Sequence, residues 1–126
     1  MTLRSLLLTA AQALLFAAAQ ALLPAAAAAH AMLDRAMPPV GSTVAAAPRE
    51  IVLSFTGPVE PAFSSIEVRS EAGAAMQAGK ASVGAKRTQL RVALKALPPG
   101  SYKVIWRVLS VDTHRSQGDF TFRVGP

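Results

Sequence analysis

From residue 31 onward the chain is a series of short segments in which apolar and polar residues alternate, cut apart by Pro and Gly. Alternation with a period of two is the mark of a half-buried strand, because successive side chains leave the backbone on opposite faces. Ile51, Leu53 and Phe55 mark one such face in Glu50–Phe55, bounded by Pro48 before and Gly57-Pro58 after. Residues 63–69 repeat the pattern, with Phe63, Ser65 and Glu67 on one side and Ile66 and Val68 on the other, closing at Gly73. Leu90, Val92 and Leu94 predict a further strand. After the Pro98-Pro99-Gly100 turn, Tyr102, Val104, Trp106 and Val108 form the clearest period-two run, and Phe120, Phe122 and Val124 a closing strand. Pro38-Pro39-Val40-Gly41-Ser42 reads as a turn. Some seven short strands with almost no helix predict a single all-β domain of two packed antiparallel sheets, with Trp106 and the phenylalanines in its core.

Residues 1–29 follow another pattern. Arg4 is their one charge, 6–23 are overwhelmingly apolar, and Pro24 leads into five alanines, Ala25 to Ala29. A positive start, an apolar middle and a small-residue end predict a secretory signal peptide, with residues 30–126 as the exported domain. The apolar stretch approaches the roughly 20 residues a membrane helix needs. An A-x-A pattern after a helix-breaking proline nevertheless favours cleavage, which leaves no transmembrane segment. A cut after Ala29 makes His30 the first residue; the alanine run also permits cuts nearby.

Composition narrows the classes. Thirteen Lys and Arg against seven Asp and Glu give a formal net charge of +6, which loss of Arg4 lowers by one. That balance suits solubility and loose association with anionic surfaces. Nucleic acid is discounted, since Arg35, Arg49, Lys80, Lys95, Arg107 and Arg123 are spread along the sequence and the chain is expected to be exported. There is no cysteine, so disulfides, thiolate metal sites and catalytic thiols are excluded, and a metal site must use His, Asp, Glu, Met or the chain terminus.

The chain has two histidines: His30, at the predicted cleavage point, and His114, in Asp112-Thr113-His114. An N-terminal histidine offers one ion both its α-amine and its imidazole Nδ1. These groups titrate near 7.7–8.0 and about 6.5 and so release their protons readily at neutral pH. In an extended backbone Asp112 and His114 project to the same side. The combined set is three nitrogens and one oxygen, which Cu(II) favours and binds more tightly than other first-row divalent ions. Zinc accepts the same donor types but prefers a tetrahedron. One Cu(II) per chain, held by His30, Asp112 and His114, is the expectation.

His30-Ala31-Met32-Leu33 followed by Pro38-Pro39-Val40-Gly41-Ser42 is similar to the H-A-x-L start and P-A-x-G-S turn of the CopC and PcoC family of periplasmic copper-binding proteins. Pro48 with Ile51 to Phe55 resembles that family's first long strand. The stretch from Leu97-Pro98-Pro99-Gly100-Ser101-Tyr102 through Trp106-Arg107-Val108, Ser110, Asp112, His114 and Gly118 to Phe120-Thr121-Phe122 resembles its L-x-x-G-x-Y-x-V-x-W-R-V-x-S-x-D-x-H-x-x-x-G-x-x-x-F pattern. The resemblance implies a Greek-key β-barrel or immunoglobulin-like sandwich, Cu(II) ligands at His30, Asp112 and His114, and a periplasmic protein serving copper homeostasis or resistance. It implies delivery to a CopD-type inner-membrane copper transporter; a monomer is expected. Some members carry a methionine-rich Cu(I) loop, but residues 69–80 hold only Met76, and Met32 and Met37 are expected in core or surface roles. Thr56-Gly57-Pro58 stands where some relatives place an acid near the copper.

Two other classes compete with a non-enzymatic carrier. An N-terminal histidine with a second histidine is also the copper site of lytic polysaccharide monooxygenases, but these need an open position for oxygen that Asp112 would partly fill. A metal-free sandwich that binds a partner would leave both histidines incidental. No Ser-His-acid set or paired carboxylate favours a hydrolase.

Overall fold

A computed structural model describes residues 31–126. Eight strands form two four-stranded sheets: β1 (Leu33–Met37), β2 (Thr43–Val44), β3 (Glu50–Phe55), β4 (Ser65–Ser70), β5 (Ser82–Val83), β6 (Gln89–Ala93), β7 (Gly100–Leu109) and β8 (Arg115–Val124). One sheet has the order β1-β3-β6-β5 and the other β2-β8-β7-β4. The sheets stay separate, so the fold is a sandwich and the closed-barrel alternative is corrected. Every strand pair is antiparallel except β2 with β8. The β3–β4 and β6–β7 connections each cross from one sheet to the other at opposite ends of the sandwich, since β3 pairs antiparallel with β6 and β4 antiparallel with β7.

Alternation explains the core. Ile51, Leu53 and Phe55 of β3, Ile66 and Val68 of β4, and Leu90 and Val92 of β6 face inward, as do Tyr102, Val104, Trp106 and Val108 of β7 and Phe120, Phe122 and Val124 of β8. Phe55 and Trp106 pack edge-to-face with ring centroids 5.4 Å apart, and Tyr102 stacks on Phe122 with centroids 5.6 Å apart. The Tyr102 hydroxyl donates to the Pro98 carbonyl, pinning the β6–β7 crossing to the strand it feeds.

Three expectations change. Phe63 is not core: it is 67% exposed. Pro61 starts a 3-10 turn, Pro61–Phe63, in which the Phe63 N–H donates to the Glu60 carbonyl at 3.2 Å, and the strand begins only at Ser65. Leu94 lies just past β6, in an isolated bridge with Gln77. The third is β1, which the alternation does not reveal, because pairing with β3 steps from Leu33↔Phe55 to Arg35↔Ser54 and leaves Asp34 as a bulge. Met32 and Met37 are exposed, while Met76 packs against the core.

Candidate metal centre

β7 and β8 form the longest hairpin, in register from Gly100↔Val124 to Leu109↔Arg115. Residues 110–114 close it. They do not continue as extended backbone: Val111 and Asp112 form a turn, and Thr113 has φ 72°, in the left-handed region. A β-branched residue there is strained by about 1–3 kcal/mol, so the surroundings must impose the conformation. The Ser110 N–H donates to the His114 carbonyl at 2.9 Å, and the Thr113 N–H to the Ser110 carbonyl at 2.9 Å. Two further bonds tie the loop to the segment after β3: Glu60 N–H to the Leu109 carbonyl at 2.8 Å, and Val111 N–H to the Pro58 carbonyl at 3.2 Å.

This turn, and not strand alternation, brings Asp112 and His114 together. His114 Nδ1 lies 3.3 Å from Asp112 Oδ1, which also accepts the His114 main-chain N–H at 3.2 Å and the Ser110 hydroxyl. Bonding of Nδ1–H to the carboxylate leaves Nε2 as the lone-pair nitrogen of the ring. The ring is well exposed, at 55%, and the Asp112 side chain less so, at 27%. The Ser110 hydrogen bond holds the Asp112 carboxyl below the usual carboxylate range. Partial burial opposes that shift, and the main-chain N–H and ring of His114 reinforce it. Asp112 is therefore an anion at neutral pH.

Ser110, 2% exposed, is the hub of the loop and carries no role in the sequence reasoning. Its oxygen lies within reach of both Asp112 Oδ1 and, at 3.1 Å, the His114 carbonyl, and its single proton bonds one of them at a time. The S-x-D spacing in Ser110-Val111-Asp112 was the available signal, since Ser and Asp two apart favour hydrogen-bonded turns. While Oδ1 is well supplied, Oδ2 of Asp112 is buried with no hydrogen-bond partner. A buried carboxylate oxygen without a donor is costly to leave so, and it suits an incoming cation.

No group of three or more His, Asp and Glu side chains able to hold a metal occurs among the described residues. Asp112 and His114 make a pair, and the third predicted ligand, His30, lies outside the described residues. Its neighbour Ala31 is fully buried, with its Cα 3.9 Å from where a Cβ on Gly57 would stand. Met32 N–H donates to Thr56 Oγ1 at 2.9 Å, and Thr56 N–H to the Met32 carbonyl at 2.8 Å. The start of the described chain is thus stitched to the 56–58 segment, whose Pro58 carbonyl holds Val111.

Fold and loop together define a small β-sandwich that presents a carboxylate–imidazole pair at the tip of its central hairpin. The CopC domain model matches residues 33–125, and the chain belongs to the CopC family of copper resistance proteins. It is 37% identical over 102 residues to protein YobA of Escherichia coli K12, covering 76% of this chain and 79% of that one. Among solved structures it resembles CopC from Methylosinus trichosporium OB3b, with TM-score 0.72, 39% identity and coverage of 77% of this chain and 95% of that one. PcoC, a methionine-rich copper resistance protein from Escherichia coli, matches with TM-score 0.67 and 34% identity, covering 76% of this chain and 99% of PcoC.

Proposed function

We propose that the chain is a periplasmic Cu(II) carrier that binds one ion through the His30 α-amine and imidazole, the Asp112 carboxylate and the His114 imidazole. The observation that carries this reading is Asp112 Oδ2, buried and without a donor beside the His114 ring. It is supported by the anchoring of Ala31 at Gly57: residue 30 is one Cα step of about 3.8 Å away, and the 56–58 segment borders the loop. Family membership supports copper as the cargo.

Export and removal of residues 1–29 generate the terminal amine on this reading. Three nitrogens and one oxygen suit tetragonal Cu(II), while the set contains no soft sulfur donor for Cu(I). Copper is therefore held oxidised and released on reduction, and the protein hands it to an inner-membrane transporter of the CopD type without itself catalysing a reaction.

Competition titration of Cu(II) tests the ligands. Asp112→Asn and His114→Ala should each lose at least tenfold in affinity while keeping the strand-rich fold; undiminished affinity in either variant contradicts the assignment.

A further inference from the structure

We propose that the outer face of the β2-β8-β7-β4 sheet is a docking surface for an anionic phospholipid bilayer. The strand register puts the odd-numbered residues of β4, β7 and β8 on that face, because their even-numbered neighbours fill the core. The face carries Arg69, Lys103, Arg107, Arg115 and Arg123, all exposed, against two acids, Glu67 and Asp119. Arg69 stands directly opposite Lys103 in the β4–β7 register. Like charges so placed destabilise a sheet, and stability alone gives no reason to keep them. Glu67 forms ion pairs with Arg69 and Arg107. Among the described residues no ion pair engages Lys103, Arg115 or Arg123.

Phe63, the most exposed large apolar residue described, lines a shallow hollow on the same face with Arg107 and Arg115. An aromatic ring at the rim of a basic surface suits the headgroup boundary of a bilayer. A protein partner is less suited, since the centre of a protein–protein interface is depleted of charge, whereas this face is charged across all three of its long strands. A flat array of cations matches a plane of repeated phosphates, with attraction that salt screens. Docked this way, the protein holds the 110–114 loop beside the membrane, because Arg115 directly follows it.

The test is sedimentation of metal-free protein, recovered from an exporting host, with vesicles of phosphatidylcholine alone or mixed with phosphatidylglycerol. Binding is expected to the mixed vesicles only, and to fade as salt is raised. At about fivefold per basic residue, Lys103→Glu with Arg123→Glu should weaken binding by more than about 25-fold. Lys80→Glu with Lys86→Glu, an equal charge change outside this sheet, should weaken it far less, and Phe63→Ser should weaken it several-fold. Lys103→Glu faces Arg69 with an acid and should leave the denaturation midpoint unchanged or raised, separating docking from folding. Lys103→Gln with Arg123→Gln gives the same direction should the reversal impair folding. Equal binding to neutral vesicles, no binding at low salt, indifference to Phe63→Ser, or equal losses in the two double reversals overturns the proposal. Copper plays no part in the readout, so failure here is distinct from failure of the carrier reading.

Discussion

Ser110 sets the state of the carboxylate. Removing its hydroxyl in Ser110→Ala takes away the main support of the lowered Asp112 pKa, so that pKa should rise. Supporting groups of this kind are worth about 10–100-fold in metal affinity. Competition titration of the variant should show a Cu(II) loss in that range, larger as the pH falls and protons compete for Asp112. Tyr102 gives a second residue-scale prediction. Burial, with a smaller contribution from Glu71, raises its phenol above the ordinary value of about 10. The protonated hydroxyl bonded to Pro98 thus stabilises the fold fully below pH 10, and that contribution is lost as the pH rises through the raised value. Tyr102→Phe should lower stability by about 1 kcal/mol at neutral pH. In denaturant melts across pH the gap to wild type should close only in strong alkali. Asp112 and His114 stood out in the sequence as candidate ligands because few residue types bind metal and this chain has few of them. Ser110 did not, because its S-x-D spacing signals only a turn, and burial and partners are what make it the hub of the loop.

At the scale of elements, β8 depends on one glycine. Gly118 lies opposite Trp106 in the hairpin, and a Cβ built there would stand 2.6 Å from Trp106 Cζ2. Gly118→Ala must displace the indole, which packs edge-to-face on Phe55. A loss of about 1–3 kcal/mol is expected in denaturant melts, the range for an overpacked core, with Trp106 fluorescence reporting the shift. The same glycine hid half of β8 from the sequence: with Gly118 under a ring, 115–119 show no inward apolar residue, and only Phe120 onward reads as a strand. β3 and β7 were legible because each alternates without interruption. The bulge at Asp34 concealed β1, and the Pro61 turn shifted the start of β4.

For the whole molecule, the sandwich places three distant stretches of sequence at one end: the start of β1, the segment after β3, and the β7–β8 loop. Hydrogen bonds from Met32 to Thr56 and from Val111 to Pro58 join them in order. Two packed sheets were legible from the spacing of the strands. Their crossings were not, since which strand changes sheet is decided by long-range pairing. The D-x-H spacing singled out two side chains that the structure brings together, but by a different geometry from the extended one expected, because a tight turn with one strained residue gathers them. The most direct test of the copper reading is intact mass with Cu(II) titration of protein recovered from the periplasm, beside a version carrying one extra residue before His30. A mass beginning at His30, with one tightly bound Cu(II) that the extension removes, is the predicted result. A different starting residue, or equal Cu(II) binding by the two forms, would contradict it.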